Sequence, residues 1–201
     1  RNGIIITVLF ACLIGSSLLF YAGWELIIVG LLCVLFAFLY TTGPYPLSYN
    51  GWGDILVIVF FGFVPVGGTY YVQALTWTTD TTIASLICGL LIDTLLVVNN
   101  YRDREADARS GKRTVIVRFG EKFGSYLYLM LGMTASLLCF WFLFEGHLYA
   151  ALLPLLYLIP HFLTWKRMVR IHSGKKLNSI LGETSRNMLF FGLLLTIVLV
   201  G

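Results

Sequence analysis

The sequence predicts an all-α protein, a bundle of seven helices that cross a membrane, and three observations carry that reading. Hydrophobic residues make up 58% of the 201 and charged residues only 12%, where a soluble domain is about one quarter charged. Apolar runs long enough to cross a ~30 Å hydrocarbon core recur along the whole chain. All 14 lysines and arginines fall before the first run, between the fourth and fifth, or from the end of the sixth to the first residue of the seventh. That arrangement puts every cation on one side of a seven-crossing chain.

The runs lie at 3–22, 24–41, 54–74, 81–101, 123–144, 147–165 and 186–200. Residues 1–201 are thus expected to form a single transmembrane domain. The first run begins almost at once after Arg1, too long for a signal peptide and with no small-residue cleavage site close behind it. The chain therefore reads as a piece of something longer. The second run ends at a connector, 42–53, rich in the turn formers Gly43, Pro44, Pro46, Gly51 and Gly53. This connector and the residue after it hold Tyr45, Tyr49, Asn50, Trp52 and Asp54, which suit either an interfacial turn with aromatic anchors or a cap over a site.

In the third run Pro65, Gly67 and Gly68 should kink or break the helix, because proline deletes a backbone donor and glycine loosens the turn. Such a break suits a cavity wall or plain helix packing. The fourth run carries Asp93 at membrane depth. A carboxyl there is costly and turns to a bundle interior or a wet cavity. In the sixth run His161 follows Pro160, and His172 lies in the basic connector beyond; neither has partners at ligand spacing. The connector before the seventh run, Lys166 to Arg186, suits anionic headgroups. Under the positive-inside rule the 42–53 connector and both basic connectors lie in the cytoplasm and the C-terminus outside.

Composition also excludes other classes. Cys12, Cys33, Cys88 and Cys139 sit in apolar runs without C-x-x-C spacing, so neither a zinc site nor a disulfide framework is expected. The net charge of +4 is confined to the segments flanking the membrane, which argues against nucleic acid as a partner.

The densest block of charge follows the fourth run, where Asn99, Asn100, Tyr101, Arg102, Asp103, Arg104, Glu105, Ala106 and Asp107 lead into Ser110, Gly111, Lys112, Arg113 and Thr114. On a helix Asn99, Asp103 and Asp107 share a sector of roughly 80° and climb it over about 12 Å, with Asn100 beside them. Two carboxylates one turn apart, with amide oxygens next to them, are hard ligands suited to magnesium, which takes its remaining oxygens from water and phosphate. Arg102, Lys112, Arg113 and Arg118 are the cations at hand for such a phosphate. A solvated cap facing lipid headgroups accounts for the same charges.

The string NNYRDREADARSGKRTVIVRFG resembles the second aspartate-rich motif of the UbiA-type intramembrane prenyltransferases. It is closest to the branch acting on 1,4-dihydroxy-2-naphthoate in menaquinone synthesis, which reads N-N-x-R-D-x-x-x-D-x-x-x-G-K-x-T. Residues 40–54 and 67–73 are similar to further segments of that family. The resemblance implies transfer of a polyprenyl group from its diphosphate to dihydroxynaphthoate, with release of diphosphate and CO2 to give demethylmenaquinone. It implies Mg2+ as cofactor, catalytic Asp103 and Asp107, and metal ligands Asp103, Asp107 and Asn99. Diphosphate contacts would come from Arg102, Lys112, Arg113 and Arg118, and substrate contacts from Asn100, Tyr45, Tyr49, Asn50 and Asp54. The expected setting is the bacterial cytoplasmic (inner) membrane, among its lipids, with the active site on the cytoplasmic side.

One departure stands out. The family's first motif, N-x-x-x-D-x-x-x-D, is absent, so the helices here match the third to the ninth of about nine, and this chain by itself is expected to be inactive. Three alternatives stay open: a relative acting on 4-hydroxybenzoate, homogentisate or a tetrapyrrole; a CDP-alcohol phosphotransferase, although the D-G-x-x-A-R string is missing; and a non-catalytic transporter or scaffold.

Overall fold

The structure, a computed structural model, describes residues 2–200, and among them the backbone is helical with no strand. The helices are α1 (Gly3–Ala22), α2 (Glu25–Thr41), α3 (Gly53–Ala74), α4 (Thr79–Arg109), α5 (Val115–Leu143), α6 (Leu148–Ile171) and α7 (Asn178–Val200). Five of them (α1, α3, α4, α5 and α6) are long and apolar enough to cross a membrane, and α2 is apolar over 17 residues. Large apolar side chains such as Ile4, Leu13, Phe20, Leu31, Phe61, Met130, Ile159 and Leu189 are exposed along these helices, as befits surfaces solvated by lipid. The protein is a multi-pass integral membrane protein.

Seven helices stand where the seven runs were expected, five of them long and apolar enough to be spans, and the helices outrun the runs. Helix α4 continues to Arg109 and α6 to Ile171, while α5 begins at Val115 and α7 at Asn178. Most of both basic connectors is therefore helix. The physical reason is that hydropathy marks where lipid ends, whereas a helix satisfies its own backbone in water as well as in lipid. At 31 residues, α4 is about 46 Å long and projects well beyond a ~30 Å core.

Helix α4 is the axis of the bundle, packed against α3, α5 and α7. Its start is fixed by Thr78, whose hydroxyl accepts from the Thr81 amide at 3.1 Å. Its end is closed by the Ser110 amide on the Ala106 carbonyl and by Gly111 at φ +77°. Helix α5 bends at Gly120, φ +86°.

Helix α3 is not broken at Pro65. From Ile58 to Gly67 it widens into a π-helix and runs on, so the missing proline donor is absorbed by a looser turn. The glycines serve packing: a Cβ on Gly62 would lie 2.4 Å from the Ser85 carbonyl oxygen and 2.8 Å from the Gly89 Cα, and one on Gly67 would enter the Trp77 ring. Of the two expected roles for this segment, the structure supports helix packing.

The remaining polar residues are also placed. His161 is buried, stacked between Tyr128 and Tyr157, with Nδ1 bonded to the Tyr157 hydroxyl at 2.9 Å. Exposed His172 pairs with Glu121, which also accepts from the Tyr101 hydroxyl at 2.8 Å and from Arg104 at 3.0 Å. That cluster ties together the ends of α4, α5 and α6. All four cysteines are free.

Candidate active site

Three segments meet at the end of the bundle where α4 projects. The Arg113 amide donates to the Tyr49 carbonyl at 2.7 Å, and the Arg118 guanidinium donates to the carbonyls of Asn50 at 2.7 Å and Arg113 at 3.0 Å. Those bonds lash the 42–53 connector to the segment after α4. Gly51 makes the close approach possible, since at φ +81° a Cβ would lie 3.0 Å from the Arg113 carbonyl oxygen.

Beneath the lashing lies a cavity of about 260 Å³, walled by α2 (Tyr40), the connector (Ser48, Tyr49, Gly51), the head of α3 (Gly53, Asp54), α4 (Leu96, Asn99, Asn100, Asp107) and the 110–114 turn (Ser110, Lys112, Thr114). Of the residues expected at a site, Asn99, Asn100, Asp107, Lys112, Tyr49 and Asp54 come together here. The others lie outside the wall. Tyr45 is exposed, Asn50 turns its amide back to the Pro46 carbonyl at 2.8 Å, and Arg118 is occupied by backbone. Arg113 enters through its backbone alone.

The two aspartates have different surroundings. Asp107 is 14% exposed, with Lys112 Nζ at 3.3 and 3.4 Å from its two oxygens. Asp103 is 38% exposed and held by Arg102 on both oxygens, at 2.7 and 2.6 Å. The same guanidinium reaches Asn99 Oδ1 at 2.7 Å and Asn178 Oδ1 on α7 at 2.9 Å. Asp103 lies past the apolar stretch of α4, and the hydrogen bonds from Arg102 outweigh its partial burial and hold its carboxyl below the usual carboxylate range.

At the head of α3 the helix seam places one more acid. Gly62 faces Ser85 and Gly89, and Gly89 faces Ile58; carried one turn further, this antiparallel register sets Asp54 across from Asp93. Asp93 is 1% exposed and stands behind the cavity wall, whereas Asp54 forms part of it. One oxygen of each, Oδ1, is buried without a hydrogen-bond partner.

Among the described residues no cluster of three or more His, Cys, Asp and Glu side chains forms a metal cage. Asn99 and Asp107 supply hard oxygen donors at the cavity and Asp103 a third one turn away along α4, a partial set that fits a magnesium ion completing its shell with phosphate and water. Sequence reasoning did not select Tyr40, Ser48, Leu96, Ser110 or Thr114. Thr114 had a local signal, since its hydroxyl caps α5 by accepting from the Val117 amide at 3.2 Å.

Comparison with known proteins gives this geometry a family. The profile of the UbiA prenyltransferase family matches residues 1–194. The 1,4-dihydroxy-2-naphthoate octaprenyltransferase of Escherichia coli is 39% identical over 145 residues, 69% of this chain and 47% of that protein. The protein of that name in Haemophilus influenzae is 39% identical over 125 residues, 62% of this chain and 39% of that protein. The one in Mycobacterium tuberculosis is 43% identical over 119 residues, 59% of this chain and 40% of that protein. These matches span less than half the length of each relative. No solved structure matches the chain with significance. The chain belongs to the UbiA prenyltransferase family.

Proposed function

We propose that this chain is the C-terminal part of an enzyme that moves a polyprenyl group from its diphosphate onto 1,4-dihydroxy-2-naphthoate, and that it contributes one half of the active site. The observation that carries the proposal is the cavity where Asp107, Lys112, Asn99 and Asn100 meet the 42–53 connector. The names of the relatives support the acceptor. The allylic C–O bond breaks, a C–C bond forms at the ring carbon that bears the carboxylate, and CO2 leaves.

Magnesium, when bound, supplies the charge neutralisation that makes diphosphate a leaving group. Asp103, Asp107 and Asn99 would hold it, Lys112 would take part of the phosphate charge, and Arg113 would add a cation near by. Arg102, paired with Asp103 here, exchanges that carboxylate oxygen for a phosphate oxygen, a swap supported by a guanidinium fork matching both. Arg118 acts through the connector it lashes down. Asp54, part of the cavity wall, accepts a hydroxyl of the naphthoate, and Asn100 and Tyr49 flank it, while Tyr45 and Asn50 cap the site from outside. The site faces the cytoplasm of a bacterial inner membrane, since the cation-bearing connectors share its end of the bundle.

Product analysis with dihydroxynaphthoate, 4-hydroxybenzoate and homogentisate offered separately tests the acceptor. Only the first should yield prenylated product; turnover of either of the others in its place contradicts the reading. Asp54→Asn should raise the KM for the naphthoate by about tenfold to a hundredfold, the loss of one charge-assisted hydrogen bond, and leave the KM for the prenyl diphosphate unchanged.

A further inference from the structure

A second cavity, of about 380 Å³, opens between α6 and α7 and shares no residue with the first. Its wall carries four cations, Lys166, Arg167 and Arg170 from α6 and Arg186 from α7, against the single acid Glu183, which is already paired with Arg167. Its floor is polar and built. Thr164 and Asn187, each 3% exposed, are hydrogen-bonded to one another at 2.9 Å, and the Thr164 hydroxyl faces Glu183 at 3.5 Å. Lys166 Nζ lies over the Phe162 ring, 4.6 Å from its centroid, and among the described residues no acid pairs with Lys166, Arg170 or Arg186.

What lies below the cations tells which anion fits. Leu163, in the wall, continues down α6 at helical spacing to the exposed Ile159 and Leu156, and Arg186 continues down α7 to the exposed Phe190, Leu193 and Ile197. The cations lie where the two apolar stretches end, at the level of the membrane interface. A polar, positively charged mouth above two lipid-facing apolar stripes has the shape and charge of one phospholipid: phosphate above, acyl chains below.

We propose that the cleft between α6 and α7 is a binding site for an anionic phospholipid, its phosphate held by Arg170, Arg186 and Lys166 over the Thr164–Asn187 floor and its acyl chains laid along the two stripes. Arg167, paired with Glu183, shapes the wall. A lipid so bound clamps α6 to α7, and through Asn178 and Arg102 it steadies the end of α4.

The chemistry recognised is a phosphate ester, so the test separates a lipid from a free anion. Native mass spectrometry of the detergent-solubilised protein, titrated with phosphatidylglycerol or phosphatidylcholine, reads the bound lipid directly. The protein should retain phosphatidylglycerol selectively. Arg170→Gln with Arg186→Gln should weaken that retention about thirtyfold, at some five- to sixfold for each cation lost near a membrane surface. Lys175→Gln with Lys176→Gln, in the same connector but outside the cavity, should retain the lipid as before, which also separates loss of the site from loss of bulk charge. Equal retention of the two lipids, equal loss in both double variants, or displacement of the lipid by millimolar inorganic phosphate would each overturn the proposal. A matching circular dichroism melt for the two variants shows that both are folded.

Discussion

Asp103→Asn and Asp107→Asn should each lower prenyl transfer by the full-length enzyme about 10²–10³-fold, the scale of removing one preorganised electrostatic contact from a reacting centre. On the roles proposed for the two carboxylates the loss should fall on kcat, because charge on a leaving diphosphate is greatest in the transition state. Their side effects differ. Asp103→Asn weakens one of the contacts of Arg102 and leaves those to Asn99 and Asn178. Asp107→Asn leaves Lys112 without its counter-charge at the cavity. Chromatographic product assays at saturating magnesium check this, with Asp80→Asn as the control. Asp80 accepts from the Trp141 indole at 2.7 Å near the start of α4, far along the helix from the site, and its variant should keep wild-type turnover. Either aspartate variant retaining more than a tenth of the wild-type rate counts against the assigned roles.

Gly62→Ala should be strongly damaging for a single added methyl. Its Cβ would meet backbone on α4, the Ser85 carbonyl oxygen at 2.4 Å and the Gly89 Cα at 2.8 Å, and neither can rotate away. The two helices must separate, at a cost of about 1–3 kcal/mol for an overpacked contact. The same seam sets Asp54 in the cavity wall, so on the role proposed for Asp54 the variant should also weaken acceptor binding. Gly68→Ala makes the contrast: nothing lies within 4 Å of its Cβ, and alanine in a helix gains up to about 1 kcal/mol over glycine. Thermal unfolding in detergent should move down for the first and hold or rise for the second.

The bundle was legible in the sequence because the requirement that reads as hydropathy is local: each run must satisfy lipid by itself. The spacing of Asn99, Asp103 and Asp107 was legible for the same reason, since one helix carries all three. What could not be read is whatever depends on two helices meeting. Arg102 looks like a free cation in the string, yet its fork is filled by Asp103, Asn99 and Asn178, the last 76 residues away. Arg118, five residues past Arg113, resembles a phosphate ligand until the Asn50 carbonyl appears across from it. Asp54 and Asp93 become neighbours only through the close approach at Gly62 and Gly89. Glycine spacing hints at such a seam but does not say which partner helix, or which register, completes it. Pro65 signalled a break, and the sequence offered no sign that a wider helix would absorb it.

For the proposed transfer to run, the acidic face at the end of α4 must gather a divalent ion together with a diphosphate. Electron paramagnetic resonance of Mn2+, standing in for magnesium, measures this directly as loss of the free-ion signal on titration with protein and a soluble prenyl diphosphate. Measured against the same diphosphate without protein, the full-length wild-type enzyme should lower the free-ion signal further, and the Asp103→Asn, Asp107→Asn double variant should leave it at the protein-free level. Equal uptake by wild type and double variant would contradict the account.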